Sequence, residues 1–191
     1  MTLQSTFNKQ FSCEFSAPKS EEAGAKLLSA HDRLAALGPA YFSVTYGAGG
    51  STKDGTKQAV IDIRAKGSDV APHLSFGGDS ADKIEALLSE YKNANVTRVV
   101  ALRGDMPSGM GGSVRLTYAN ELVDFIREKT GDHFHIEVAA YPEVHPDSRS
   151  VESDLNFFKA KVDAGANSAI TQYFYNPAAY FNFIDACEKK G

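Results

Sequence analysis

Strand-length apolar runs return at a nearly even interval along the chain. That rhythm restricts the fold more than any other feature of the sequence. The runs are Phe11–Phe15, Tyr41–Thr45, Val70–Ser75, Val99–Arg103, Ile136–Tyr141 and Ala169–Phe174. They begin roughly 30 residues apart, the length of a strand–helix–strand unit. Most are rich in β-branched or aromatic residues, which pleated strands favour. Between them apolar residues recur at helical spacing. Ile84, Leu87, Leu88 and Tyr91 make one stripe, and Leu155, Phe158 and Val162 another. Gly38, Gly67, Gly131, Gly165 and Gly191 follow the helical segments, where a left-handed cap favours glycine. Asn176-Pro177 reads as an N-cap with proline in the first turn, and Ser51 with Asp54 as a weaker start signal.

Six strand–helix units in alternation mean parallel strands joined by helical crossovers. No linker or low-complexity tract divides them, so residues 1–191 are expected to form one domain. Two α/β architectures stay open at this point. A doubly wound sheet would be complete at this length, whereas a (β/α)8 barrel needs eight strands and ~250 residues. A dinucleotide-binding first unit should lead into G-x-G-x-x-G, but Ser16-Ala17-Pro18-Lys19 stands there. Gly47-Ala48-Gly49-Gly50 is Gly-rich but off that pattern, and no Walker-type loop occurs. The connection Gly104–Thr117 is long for a strand-to-helix loop, and such loops often carry function.

Composition removes several functions. There are 20 basic and 24 acidic side chains in 191 residues, a net charge of −4, with no basic run. Nucleic acid is therefore not an expected partner. Cys13 and Cys187 are too few for a disulfide framework and lack metal-finger spacing. No stretch approaches ~20 apolar residues, so no membrane span is expected. Met1 to Gln10 is polar and has no signal core, which predicts a cytoplasmic protein.

Strand alternation sorts side chains between two faces. Glu14 opposes Phe15, Ser43 and Thr45 oppose Val44, His73 and Ser75 oppose Leu74, and Gln172 lies with Ile170. Arg103 is read as lying with Ala101, opposite Val100 and Leu102. Parallel strands carry all their tips to one rim, where α/β proteins bind ligands. Glu14, Thr45, His73, Arg103, Asp105, Tyr141 and Gln172 are thus expected around one cavity. Glu14 beside aromatic neighbours would be desolvated and suited to general acid work, or else paired with Arg103. His73, Glu143 and His145 raise the question of a metal, but the proline-bounded loop around Glu143 lacks a helical His–Glu pair, and no metal site is assigned. Cys13 is expected to be an inert core thiol.

Seven strings then acquire a common meaning. They are Glu14-Phe-Ser-Ala-Pro18, Ser43-Val-Thr-Tyr-Gly-Ala48, Ala71-Pro-His-Leu74, Ala101-Leu-Arg-Gly-Asp105, Ala139-Ala-Tyr-Pro-Glu-Val-His-Pro146, Lys161-Val-Asp-Ala-Gly-Ala-Asn167 and Ile170-Thr-Gln172. In this order and at this spacing the chain resembles the methylenetetrahydrofolate reductase family. The resemblance implies a (β/α)8 TIM-type barrel that binds FAD. It also implies reduction of 5,10-methylenetetrahydrofolate to 5-methyltetrahydrofolate with NADH or NADPH, by ping-pong hydride transfer. Carried over by position, Glu14 matches the general acid, Asp105 the acidic residue beside flavin and pterin, and Gln172 a substrate-binding amide. Thr45, His73, Arg103, Gly104, Asp105, Tyr118, Ala140, Tyr141, His145, Asp154 and Lys161 match cofactor-lining positions.

The chain ends at Gly191, whereas family members continue through two further strand–helix units. An incomplete catalytic barrel of about six units is therefore expected, and its open edges favour a homo-oligomer. The competing expectation is a non-catalytic fragment serving as an assembly module. A lyase or aldolase would want a lysine at a strand tip or a metal cluster, and neither is found. Lys161 falls late in a helix, where an ordinary reading is a solvated cation.

Overall fold

A computed structural model of the chain describes residues 10–46, 53–76, 79–103 and 118–191. Six strands are formed: β1 (Cys13–Phe15), β2 (Phe42–Val44), β3 (Val70–Leu74), β4 (Arg98–Ala101), β5 (His135–Ala140) and β6 (Ser168–Thr171). Each is followed by a helix: α1 (Glu21–Ala35), α2 (Lys53–Ala65), α3 (Ala81–Asn93), α4 (Ala119–Thr130), α5 (Val151–Asp163) and α6 (Pro177–Lys190). All pairings are parallel and the spatial order is β1-β2-β3-β4-β5-β6. A doubly wound sheet reverses direction at a switch point. Here every strand is laid beside the one before it, and the sheet curls into part of a (β/α) barrel.

The register assigns the faces. Glu14 pairs with Ser43 and Ser43 with Ala71, while His73 pairs with Val100, Val100 with Glu137 and Glu137 with Ser168. These residues line the inner face of the curl. The outer face carries Phe42, Val44, Leu74, Val99, Ala101, Ile136 and Val138. Against it pack Val60 and Ile63 of α2, Ile84, Leu88 and Tyr91 of α3, and Leu122, Val123 and Ile126 of α4. Each large side chain removed from water there contributes about 1.5–3 kcal/mol. The core thus lies between sheet and helices, and the curl is free to be polar.

Arg103 keeps its expected parity with Ala101, but the register makes that side the outer one rather than the ligand-facing one. Val100 and Leu102 stand with His73 on the inner face, so Arg103 follows Ala101 on the outer parity, beyond the end of β4. Two connections matter for packing. Gly55 of α2 meets the β1–α1 segment so closely that an added Cβ would lie 2.1 Å from the Pro18 carbonyl oxygen. Gly165, at φ +108, lies under the Arg127 side chain. All five cap glycines have positive φ, and Asn176 accepts from Ala178 N–H with Pro177 in the first turn, as expected. Ser51, Gly47–Gly50 and the connection Gly104–Thr117 lie outside the described residues.

The last third of the chain is packed differently. Neither α5 nor α6 buries a residue, and β6 is only half-buried or exposed. Besides the β5–β6 ladder, one side chain gathers several groups of this end. Arg127 Nε and Nη2 donate to the Gly165 carbonyl, Nη1 donates to those of Gly131 and Phe134, and Nη2 also donates to Asn167 Oδ1. Asn167 Oδ1 in turn accepts from the Ile136 N–H, which places α4, β5 and the α5–β6 turn around one guanidinium.

Candidate functional site

A cavity of about 340 Å³ opens where β4 and β5 end and α4 and α5 begin. Ala101, Leu102 and Arg103 come from the tip of β4; Tyr118, Ala119 and Asn120 from the start of α4; Ala139 from β5. Tyr141, His145, Asp147 and Ser148 come from the β5–α5 loop, and Asp154, Phe157 and Lys161 from α5. Six side chains expected at a cofactor line it: Arg103, Tyr118, Tyr141, His145, Asp154 and Lys161.

Lys161 departs furthest from expectation. It is not a solvated cation: its ammonium is turned inward and donates to the Ala139 carbonyl at the tip of β5. Burial pushes its pKa down to about 8, although Asp154 opposes the shift. Among the described residues no carboxylate forms an ion pair with it, and Asp154 acts on it only through its charge. Arg103 supplies a second cation. Its Nη2 donates to Asp147 Oδ2 at 2.9 Å on the rim, and the expected pairing with Glu14 is not formed.

The β5–α5 loop is held from within. Asp154 accepts from the His145 N–H at 3.2 Å and from the Ser148 hydroxyl at 2.9 Å. The Asp147 N–H donates to His145 Nδ1 at 3.0 Å, so a neutral His145 carries its proton on Nε2 and offers it as a donor. Tyr141 meets the His145 ring edge-on with centroids 4.5 Å apart. Val144 sits at φ +69, a strained conformation for a β-branched residue. On the opposite wall Tyr118 and Phe157 are stacked at 5.9 Å. Tyr46 completes the cavity; its buried hydroxyl finds no partner among the described residues, and burial with the charge of Asp54 pushes its pKa up to about 12.

Thr45, His73, Ala140, Glu14 and Gln172 do not line this cavity. Thr45 Oγ1 accepts from the Ala17 N–H and tethers the β1–α1 segment. Ala140 is buried, and its carbonyl accepts from the Gln172 N–H. Glu14 and Gln172 have inner-face parity at the two margins of the sheet, and Gln172 is exposed. Glu14 is not enclosed by aromatic rings: its side chain is 58% exposed, and His73 Nε2 lies 3.3 Å from its Oε2. Phe15, on the other face, stacks on Phe42 instead. Gly104 and Asp105 lie outside the described residues. Cys13 is half-buried against the core.

Sequence reasoning missed Asp147, Ser148, Phe157 and the partners of Glu137. Glu137 is buried on the inner face, where it accepts from Arg98 Nη1 at 2.5 Å and from the Tyr41 hydroxyl at 2.9 Å. Its position inside an apolar β5 run was the available signal, because a buried carboxylate needs partners. Among the described residues no three of His, Cys, Asp and Glu gather as a metal-binding group.

Fold and site together define a parallel β/α barrel protein with a cation- and aromatic-lined cavity at the C-terminal rim of its strands. Solved structures share the fold at low identity. A 2,3-dimethylmalate lyase matches with a TM-score of 0.61 at 11% identity, covering 93% of this chain and 61% of that one. A phosphonopyruvate hydrolase matches with a TM-score of 0.63 at 13% identity, covering 93% and 64%. Sequence carries the assignment further. Residues 2–191 match the methylenetetrahydrofolate reductase family, and this chain belongs to it. It is 40% identical over 190 residues to the 5,10-methylenetetrahydrofolate reductase of Escherichia coli (strain K12), covering 99% of this chain and 62% of that protein. It is 37% identical over 199 residues to methylenetetrahydrofolate reductase (NADH) 1 of Arabidopsis thaliana, covering 95% of this chain and 33% of that one. The chain thus spans about three fifths of the length of its bacterial relatives.

Proposed function

We propose that this chain is the catalytic barrel unit of an NAD(P)H-dependent reductase that converts 5,10-methylenetetrahydrofolate to 5-methyltetrahydrofolate on bound FAD. The observation that carries the reading is the cavity. Lys161, Arg103 and the Nε2 donor of His145 suit phosphate, while Tyr118, Tyr141 and Phe157 suit flat rings. Arg103, Tyr118, Tyr141, His145, Asp154 and Lys161 would hold the cofactor. Asp154 acts by fixing the loop that presents His145. When bound, FAD supplies the hydride carrier between nicotinamide and folate, in the ping-pong order of the family.

The chain's own contribution to the folate step falls to Glu14, Gln172 and Asp105. Glu14, open to the mouth of the sheet, gives a proton to the substrate nitrogen as the carbon–nitrogen bond of the five-membered ring breaks. The bond's electron pair stays on that nitrogen, and the methylene carbon is left cationic. Asp105 would stabilise that cation and Gln172 would orient the folate. The plant relative named for NADH supports a nicotinamide reductant. No described helix is long and apolar enough to cross a membrane, which accords with a cytoplasmic enzyme. Among the described residues no strand lies beyond β1 or β6, which supports a homo-oligomer.

An absorbance spectrum of the purified protein with added FAD, followed by anaerobic NADH, tests the reading. A flavin spectrum that bleaches supports it; protein that takes up no FAD overturns it. Glu14→Gln should slow flavin reoxidation by methylenetetrahydrofolate ~100-fold or more, with a much smaller effect on reduction by NADH. Equal losses would remove the role of Glu14. A second reading, a non-catalytic assembly module, is favoured only by the exposed aromatic end around Tyr173, Tyr175 and Phe181. A flavin-free oligomer in sedimentation would support it.

A further inference from the structure

Lys161 belongs to α5 by position, but its amine ends elsewhere. The side chain carries Nζ to the tip of β5, where it donates to the Ala139 carbonyl. Carbonyl chemistry on a β/α barrel wants an amine at a strand tip, and here one arrives from a helix. The other lysines show what sets it apart. Lys53, Lys66, Lys129 and Lys159 each lie against a carboxylate. Among the described residues Lys161 has no ion pair, and its Nζ stands 5.5 Å from the centre of the Phe158 ring. The cavity it opens on selects a reactant. Arg103 and the Nε2 donor of His145 suit an anionic group, and Tyr118, Tyr141 and Phe157 suit a flat ring. The acidic groups of the lining are already engaged: Asp147 with Arg103, and Asp154 with the His145 N–H and the Ser148 hydroxyl.

We propose that Lys161 Nζ is a carbonyl-capture site, at which an anionic aromatic aldehyde forms an imine inside the cavity. No oxidant or reductant is needed. The lone pair of the neutral amine forms the nitrogen–carbon bond, and the π pair of the aldehyde moves to its oxygen. One amine proton passes to that oxygen, and a second proton from solvent lets it leave as water. The protonated imine keeps one N–H, and the Ala139 carbonyl is the acceptor already in place for it. Attack requires the uncharged amine, which burial supplies. With a pKa of about 8, roughly a tenth of the amine is neutral at pH 7, against roughly 0.03% for one at 10.5. Capture does not depend on the flavin reading, but bound flavin would fill the same space, so the two compete.

The test treats the whole chain, as purified, with pyridoxal 5′-phosphate and follows the visible band of the imine. Borohydride reduction and peptide mass mapping then locate the adduct. At pH 7 Lys161 should be modified about 10-fold faster than Lys189 or Lys190, and its rate should level off above about pH 8. Adduct spread evenly over the lysines, or a Lys161 rate still climbing to pH 10, would overturn the proposal. Lys161→Arg should lose the fast phase, and a fast phase that persists would overturn it too. Arg103→Gln should slow capture about 10-fold without moving the pH at which it levels; an unchanged rate would overturn the anionic class of reactant. Where added FAD binds, capture should be suppressed, and capture undiminished beside bound flavin would overturn the shared cavity. Protein that takes up no FAD yet captures the aldehyde at Lys161 would overturn the enzymatic reading and support the capture site.

Discussion

α3 and α5 are both 13-residue helices with apolar side chains at helical spacing, yet α3 buries Ile84, Leu88 and Tyr91 and α5 buries nothing. The difference lies in their neighbours. α3 covers β3 and β4, with strands on either side and α4 packed against it. α5 lies between α4 and α6 over the margin of the described sheet, where β6 pairs with β5 on one side alone. Phe157 and Val162 remain about half-exposed as a result. A stripe states which face a helix offers; the number of layers beside it decides whether that face leaves water.

Substitutions should separate the two regions sharply. The largest effect is expected in the closed layer. Leu88→Ala or Ile126→Ala should cost about 3 kcal/mol in urea unfolding, and Leu155→Ala on α5 less than about 1 kcal/mol. Similar losses in both would show that the open end is buried in solution by something else. Next comes a pair of glycines. Gly55→Ala drives a Cβ into the Pro18 carbonyl and should destabilise by about 2 kcal/mol. Gly24→Ala, with open space around it, should stabilise by roughly 0.5–1 kcal/mol.

Lys161 gives a third, smaller contrast, between stability and binding. Its folded pKa of about 8 lies below the 10.5 of the free side chain. The unfolded chain therefore binds the extra proton between these values, and stability rises with pH across that window. Lys161→Met should be more stable than wild type at pH 7 by about 1–2 kcal/mol, should lose that advantage towards pH 10, and should bind FAD about 10-fold more weakly. The smallest effect is acid sensitivity. Burial depresses the folded pKa of His73 and His135 below 6.5. The unfolded state protonates first, so melting temperature should fall as pH drops from 7.5 through 6.5, with His73→Gln showing a shallower fall.

Much of the fold was legible because it rests on local spacing. The strand rhythm, the glycine caps and the Asn176 cap depend on residues within a turn or two of each other. The sequential strand order follows from the family resemblance rather than from spacing. Within the site, Tyr141 and His145 share one loop and came with one motif, and Asp154 stands in the helix that the loop enters. Burial was not legible. Glu14 stands beside Phe15 in the chain, but alternation sends that ring to the opposite face and leaves the carboxylate open. Lys161 occupies an ordinary helical position, yet its direction is set by the Ala139 carbonyl 22 residues away. For Arg103, alternation gave the right parity with Ala101, but only pairing with β3 and β5 shows that this side faces outward.

Arg127 gives the contrast between the two regions a mechanical meaning. The closed layer coheres through many side chains, any one of which can be trimmed without parting it. The far end is joined by the β5–β6 ladder and by one fork whose five contacts radiate from a single carbon. Lysine, with one ammonium, cannot span those acceptors. The fork is therefore a clasp beside the β5–β6 ladder: when it lets go, the α5–β6 turn should loosen first, at the foot of the helix that carries Lys161 to the cavity.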